Sequence, residues 1–161
     1  MLIRMQALTA EVFAPFGDVL QTEGMAAQSI NRGNTQKFAD LAEISLHQGG
    51  RAQVSIYRSK AIELPFRIHG LERHPHGSQA FYPLHQRPFP IVVALPGDIP
   101  DAERIHAFLS NGRQGINIHP GVWHHYQLTL EQDSEYIVID RAGPGNNCDE
   151  HQFAQEITLS L

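Results

Sequence analysis

The chain has 161 residues, 42% of them hydrophobic and 18% charged, with 13 Gly and 10 Pro. That is the make-up of a globular protein rich in turns, and the length suits one domain covering residues 1–161. Its 12 Lys plus Arg stand against 17 Asp plus Glu, a formal net charge of −5, which leaves no basic stripe for phosphates and excludes nucleic acid as a partner. Small molecules remain. No window approaches the roughly 18 consecutive apolar residues of a membrane span, and Arg4, Gln6, Thr9 and Glu11 interrupt the N-terminal segment before it reaches export-signal length. The single Cys148 forms no intrachain disulfide. A cytoplasmic location is expected.

In chain order, Thr9 can cap a short helical turn over Ala10 to Ala14 that Pro15 ends. "QVSIYR", with Val54 and Ile56 set against Ser55 and Tyr57, alternates at period two, the mark of a strand with one buried face. "FPIVVALPG", Phe89 to Gly97, reads as a strand buried on both faces and closed by a Pro-Gly turn. "PDAER" at Pro100 allows one more helical turn, while "RIHAFL" and "EYIVID" alternate again. Pro and Gly punctuate the chain at Pro65, Gly70, Gly77, Pro83, Asn111-Gly112, Pro120-Gly121 and Gly143-Pro144-Gly145. The rhythm is all-β, a two-layer sandwich or closed barrel with a few short helical turns.

Chemistry concentrates in two stretches. In "LERHPHGSQ" the residues Glu72, His74 and His76 share a face if the strand is regular. Pro75 cannot donate to a ladder, so the strand is an edge or leaves its sheet there, and a Gly77-Ser78 turn can bring Gln79 to the same interior. In "HPGVWHHY" the Pro120-Gly121 turn aims His124 at one face, and His125 then points the other way. Imidazole with carboxylate or amide oxygen suits a borderline divalent cation with positions left open for substrate.

Glu-x-His-x4-Gln followed by Pro-Gly-x-x-His resembles the two motifs of the cupin superfamily, His-x-His-x3-4-Glu and Pro-x-Gly-x2-His. The resemblance implies a double-stranded β-helix, a jelly-roll barrel, with metal ligands Glu72, His74, Gln79 and His124. Glu72 and Gln79 depart from the usual residues at their positions. More narrowly, "FAPFGDVL", "ERHPHGSQAFYPL", "FLSNGRQGINIHPGVWHH" and "IDRAGPGNNCDE" are similar to the ureidoglycolate lyase family over nearly the whole chain. That likeness implies a cytosolic homodimer that eliminates urea from (S)-ureidoglycolate to give glyoxylate in allantoin and purine degradation. It also implies a divalent metal, nickel first, with zinc or manganese as alternatives.

Elimination from this hemiaminal needs one proton taken from the hydroxyl and one given to the departing nitrogen. The candidates for that work are His119, His125 and Glu72; Arg58, Ser55 and Asn117 are the candidate substrate contacts, with Trp123 as an apolar wall. Asp140-Arg141 is expected to form a local ion pair or loop anchor, and Cys148 to be a packed or surface thiol. A cupin sugar epimerase or isomerase, or a non-catalytic small-molecule-binding cupin, is the alternative. The acidic chain disfavours a diphosphate-linked sugar.

Overall fold

The computed structural model describes all 161 residues. Fourteen strands run in the order β1 (Leu2–Arg4), β2 (Gln6–Ala7), β3 (Gly17–Leu20), β4 (Gln28–Ile30), β5 (Thr35–Lys37), β6 (Arg51–Ser59), β7 (Phe66–Arg73), β8 (Gln79–Pro83), β9 (Pro90–Ala94), β10 (His106–Leu109), β11 (Gly115–Ile118), β12 (Trp123–His124), β13 (Ser134–Ala142) and β14 (Asp149–Ser160). One α-helical turn, α1 (Ala10–Phe13), lies between β2 and β3, and a 3-10 turn, Asn31–Gly33, between β4 and β5. Helix α1 begins as expected, with the Thr9 hydroxyl accepting from the Val12 N–H, one of the donors a helix start leaves free. "PDAER" makes only a turn, closed by Arg104 N–H to Asp101 O.

Two sheets face each other as a barrel. The larger has the order β1-β14-β7-β12-β9-β10-β2, the smaller β3-β11-β8-β13-β6, and β4-β5 forms a separate ribbon. Between the sheets lies a core of Val19, Phe81, Ile91, Val93, Phe108, Ile116, Tyr136, Val138 and their neighbours. A second core, with Ile68, Leu71, Val92, Ala94, Trp123, Ile157 and Leu159, covers the other face of the larger sheet. β9 explains its unbroken apolar run, because Ile91 and Val93 serve the first core while Val92 and Ala94 serve the second. A strand needed on both faces has no position for a polar residue.

β6 departs from the sequence reading. Its Val54 and Ile56 are 70% and 63% exposed, although alternation assigned them the buried face. Being the last strand of the smaller sheet, β6 turns Tyr57 toward Phe81, ring centroids 6.1 Å apart, at the mouth of the barrel. The mouth is polar, so here the apolar phase is the outer one.

Phe108 is fully buried and meets Phe13 edge to face at 5.4 Å. Phe108→Ala is expected to cost about 3–5 kcal/mol, read as a lower denaturation midpoint with an unchanged slope.

Candidate metal centre

The strand carrying Glu72 ends at Arg73, and the chain leaves the larger sheet through Pro75 to enter the smaller one as β8 at Gln79. Across the larger sheet, Glu72 is the register partner of His124 on β12. The Pro-Gly turn ahead of β12 places Gly121 at φ +79°, a conformation that glycine adopts without strain, and its N–H donates to the His74 carbonyl. Turn and strand end are therefore tied together. The result is a cluster in which Glu72 Oε1 lies 3.9 Å from His74 Nε2 and 3.7 Å from His124 Nε2. Two metal bonds of about 2.1 Å span such separations.

Hydrogen bonds fix which atoms face inward. His74 Nδ1 donates to Asn147 O at 2.7 Å and His124 Nδ1 to Val122 O at 3.0 Å. A carbonyl only accepts, so each ring carries its proton on Nδ1 and presents an Nε2 lone pair. Both Nε2 atoms are buried without a partner, as is Gln79 Oε1. Three unpartnered acceptors beside a carboxylate are a costly arrangement alone and a fitting one for a cation. Glu72, His74 and His124 form a triad compatible with a divalent metal.

A cavity of about 420 Å³ opens beside it, lined by Tyr57, Arg58, Ser59, Gln79, Tyr126 and Asp140 among others. Glu72 and Tyr126 also line a smaller one of about 150 Å³ with His69, His125, Glu150 and Gln152. Glu150 is the register partner of Glu72. Burial raises the Glu72 pKa, the nearby His74 opposes this, and Glu150 adds to it. Burial, with the charges of Asp140 and Glu72, likewise raises Tyr57. Burial and the carboxylates of Glu72, Glu150 and Asp149 raise the exposed Cys148 thiol, keeping it protonated and unreactive.

Several sequence-predicted residues fall elsewhere. His119 Nε2 is held 3.1 Å from Asp18, and Asn117 bonds the same carboxylate and Glu43 O, so neither lines the cavities. Trp123 precedes His124 on β12 and hence faces the opposite side, donating to Gly97 O within the second core and stacking under Arg73 at 4.8 Å. Ser55 lines neither cavity, whereas Ser59 on the same strand lines the larger one. His125 does line the smaller cavity, just past the end of β12, with its backbone N–H donating to Val92 O on β9. His76 leaves the sheet and binds Asn147 through its backbone N–H. Arg141 anchors loops through His47, Gln48 and Pro144 carbonyls, while Asp140 bonds Gln53 and Gln79 instead of Arg141.

A two-sheet β-barrel with imidazoles and a carboxylate gathered at its mouth defines a cupin. The family model described as ureidoglycolate lyase matches residues 1–160, and the chain belongs to that family. It is 53% identical over 157 residues to the ureidoglycolate lyase of Pseudomonas savastanoi pv. phaseolicola, covering 97% of this chain and 92% of that one. Over 160 residues it is 49% identical to those of Pseudomonas syringae pv. tomato and Pseudomonas aeruginosa, covering 99% of this chain and 94% and 95% of theirs.

Burial lowers the imidazole pKa to about 3 for His124 and about 4 for His125. An unfolded histidine titrates near 6.5, so from there downward the unfolded chain binds more protons. Stability is then full above pH about 6.5 and falls toward pH 4, by on the order of 3 kcal/mol for His125 alone, with Glu72 opposing. Denaturant midpoints of chelator-treated protein at pH 7.5 and 5 should differ in that direction; equal midpoints contradict two buried neutral imidazoles.

Proposed function

We propose that this chain is an enzyme of one domain, 1–161, that eliminates urea from (S)-ureidoglycolate to give glyoxylate. The observation that carries the reading, beside the family, is the set of unpartnered acceptors on His74, His124 and Gln79 around Glu72. The substrate is a carboxylate, and the cavities hold Glu72, Asp140 and Glu150. Their one cationic side chain, Arg58, is largely exposed and paired to Glu135 at 2.8 Å. An anion has little reason to enter unless a cation sits at the triad.

Glu72, His74, Gln79 and His124 hold that cation, which supplies charge to an α-hydroxy acid and lowers the pKa of its hydroxyl. Nickel, which the family resemblance implies, is the metal we favour, with zinc or manganese as substitutes. Arg58 serves as the substrate-carboxylate contact in this reading only by leaving Glu135 and turning over the rim, since it shares the outer phase of β6 with Val54 and Ile56. The ureido end then lies toward the smaller cavity, where Glu150 and Gln152 offer acceptors to its N–H groups.

His125 is the proton carrier. Its Nδ1 donates to Tyr126 O at 3.1 Å, so Nε2 is the basic atom. With an imidazole pKa near 4, Nε2 holds the proton taken from the hydroxyl only briefly before passing it to the departing nitrogen. Phe81 and Tyr126 supply the aromatic part of the larger cavity's wall.

A homodimer in the cytoplasm completes the reading. Val54, Ile56 and Tyr82 form an exposed apolar face with the half-buried Ile137 and Ile139, the kind of patch that partners cover. No helix is long and apolar enough to cross a membrane.

Urea and glyoxylate release from racemic ureidoglycolate should fall on chelation and return with nickel. His124→Ala should lose bound metal and at least about 100-fold in kcat/KM while staying folded. An active variant with unchanged metal content would sink the ligand assignment. Separately, Ile56→Asp should move the protein from dimer to monomer in sedimentation velocity, and a wild-type monomer would remove the apolar face from the dimer model.

A further inference from the structure

We propose that Asp140 is a positioning residue for the metal centre, setting which end of the Gln79 amide faces Glu72, His74 and His124. The inference rests on the metal reading above. A glutamine amide has two ends of nearly equal shape and opposite use, since the oxygen accepts and can ligate while the NH2 group only donates and repels a cation. Gln79 is 4% exposed, so water cannot settle the choice.

The fold settles it with a carboxylate. Gln79 Nε2 donates to Asp140 Oδ2 at 3.3 Å, and an ionised carboxylate offers nothing but acceptors. The reversed amide would put oxygen against oxygen. Gln79 Oε1 is therefore left on the other side, buried and without a hydrogen-bond partner, in the cavity that Glu72 and His74 line. Asp140 is itself held, because Gln53 Nε2 donates to its Oδ1 at 3.4 Å and Gln53 is its register partner on β6. The Ile139 to Ala80 pairing of β13 with β8 sets Asp140 beside Gln79. Strand register thus dictates the polarity of an amide two strands from β6.

The test is a double-mutant cycle on metal affinity, measured by nickel titration of the apo protein against a competing chelator. Asp140→Asn keeps the shape but can present either an oxygen or an NH2 group to Gln79, and should weaken nickel binding about 10–100-fold. In a Gln79→Ala background the same substitution should change affinity by no more than about twofold, since the amide it positions is gone. Loss of charge alone would weaken binding equally in both backgrounds, and that outcome overturns the proposal. So does an Asp140→Asn protein with wild-type affinity.

A second pair covers the case in which the single variant folds poorly. In Asp140→Asn/Gln79→Glu the asparagine NH2 donates to one carboxylate oxygen and leaves the other facing the triad. Affinity should return to within about threefold of wild type, and failure to recover in a folded protein counts against the positioning role. If wild-type protein binds no nickel, zinc or manganese, the metal reading and this inference fall together. If it binds metal and the cycle shows no coupling, this inference falls alone.

Discussion

The site depends on a single cross-strand register, His124 opposite Glu72, made by a strand only two residues long. β12 joins β7 to β9 in the larger sheet, so the pair that brings imidazole to carboxylate also closes that sheet. A slip of one residue would send His124 into the second core and bring Trp123 to the mouth. The Pro120-Gly121 turn, fastened to His74 O through the Gly121 N–H, prevents the slip and positions the other imidazole by the same bond.

Much of the fold was legible because burial leaves marks on composition. β9 reads as a doubly buried strand, and Thr9 with Pro15 brackets α1, since both signals arise from local chemistry. β6 misleads for a reason that is not local. Period-two alternation reports that two faces differ, not which one meets the core. Val54 and Ile56 lie outside because the inner positions of this end strand border a polar cavity. The chain alone holds no measure of that.

The site was legible in its triad and less so around it. Glu72, His74 and His124 are reachable from strand phase plus a turn, and Gln79 from a change of phase at Gly77-Ser78. His119, a candidate proton carrier, and Asn117, a candidate substrate contact, are both spent on Asp18, a residue about a hundred positions away in sequence. Trp123 could be excluded from the mouth by alternation with His124 alone. Tyr57, Tyr126, Asp140 and Asn147 enter only through pairings between distant strands. Of these, Tyr57 left the clearest trace, as the lone aromatic on the polar phase of β6.

The opposition of Glu150 to Glu72 reaches beyond the cavity. Two like charges at one rung of an antiparallel ladder push their strands apart, and β14 is the strand through which β1 joins the sheet. A cation at the proposed centre draws Glu72's charge away from Glu150 and relieves that rung. Loading the centre then tightens the stretch of β14 that pairs Arg73 to Gly70, ahead of the register break after Gln152, and slower amide exchange from Asp149 to Gln152 becomes a gauge of occupancy outside the ligands themselves.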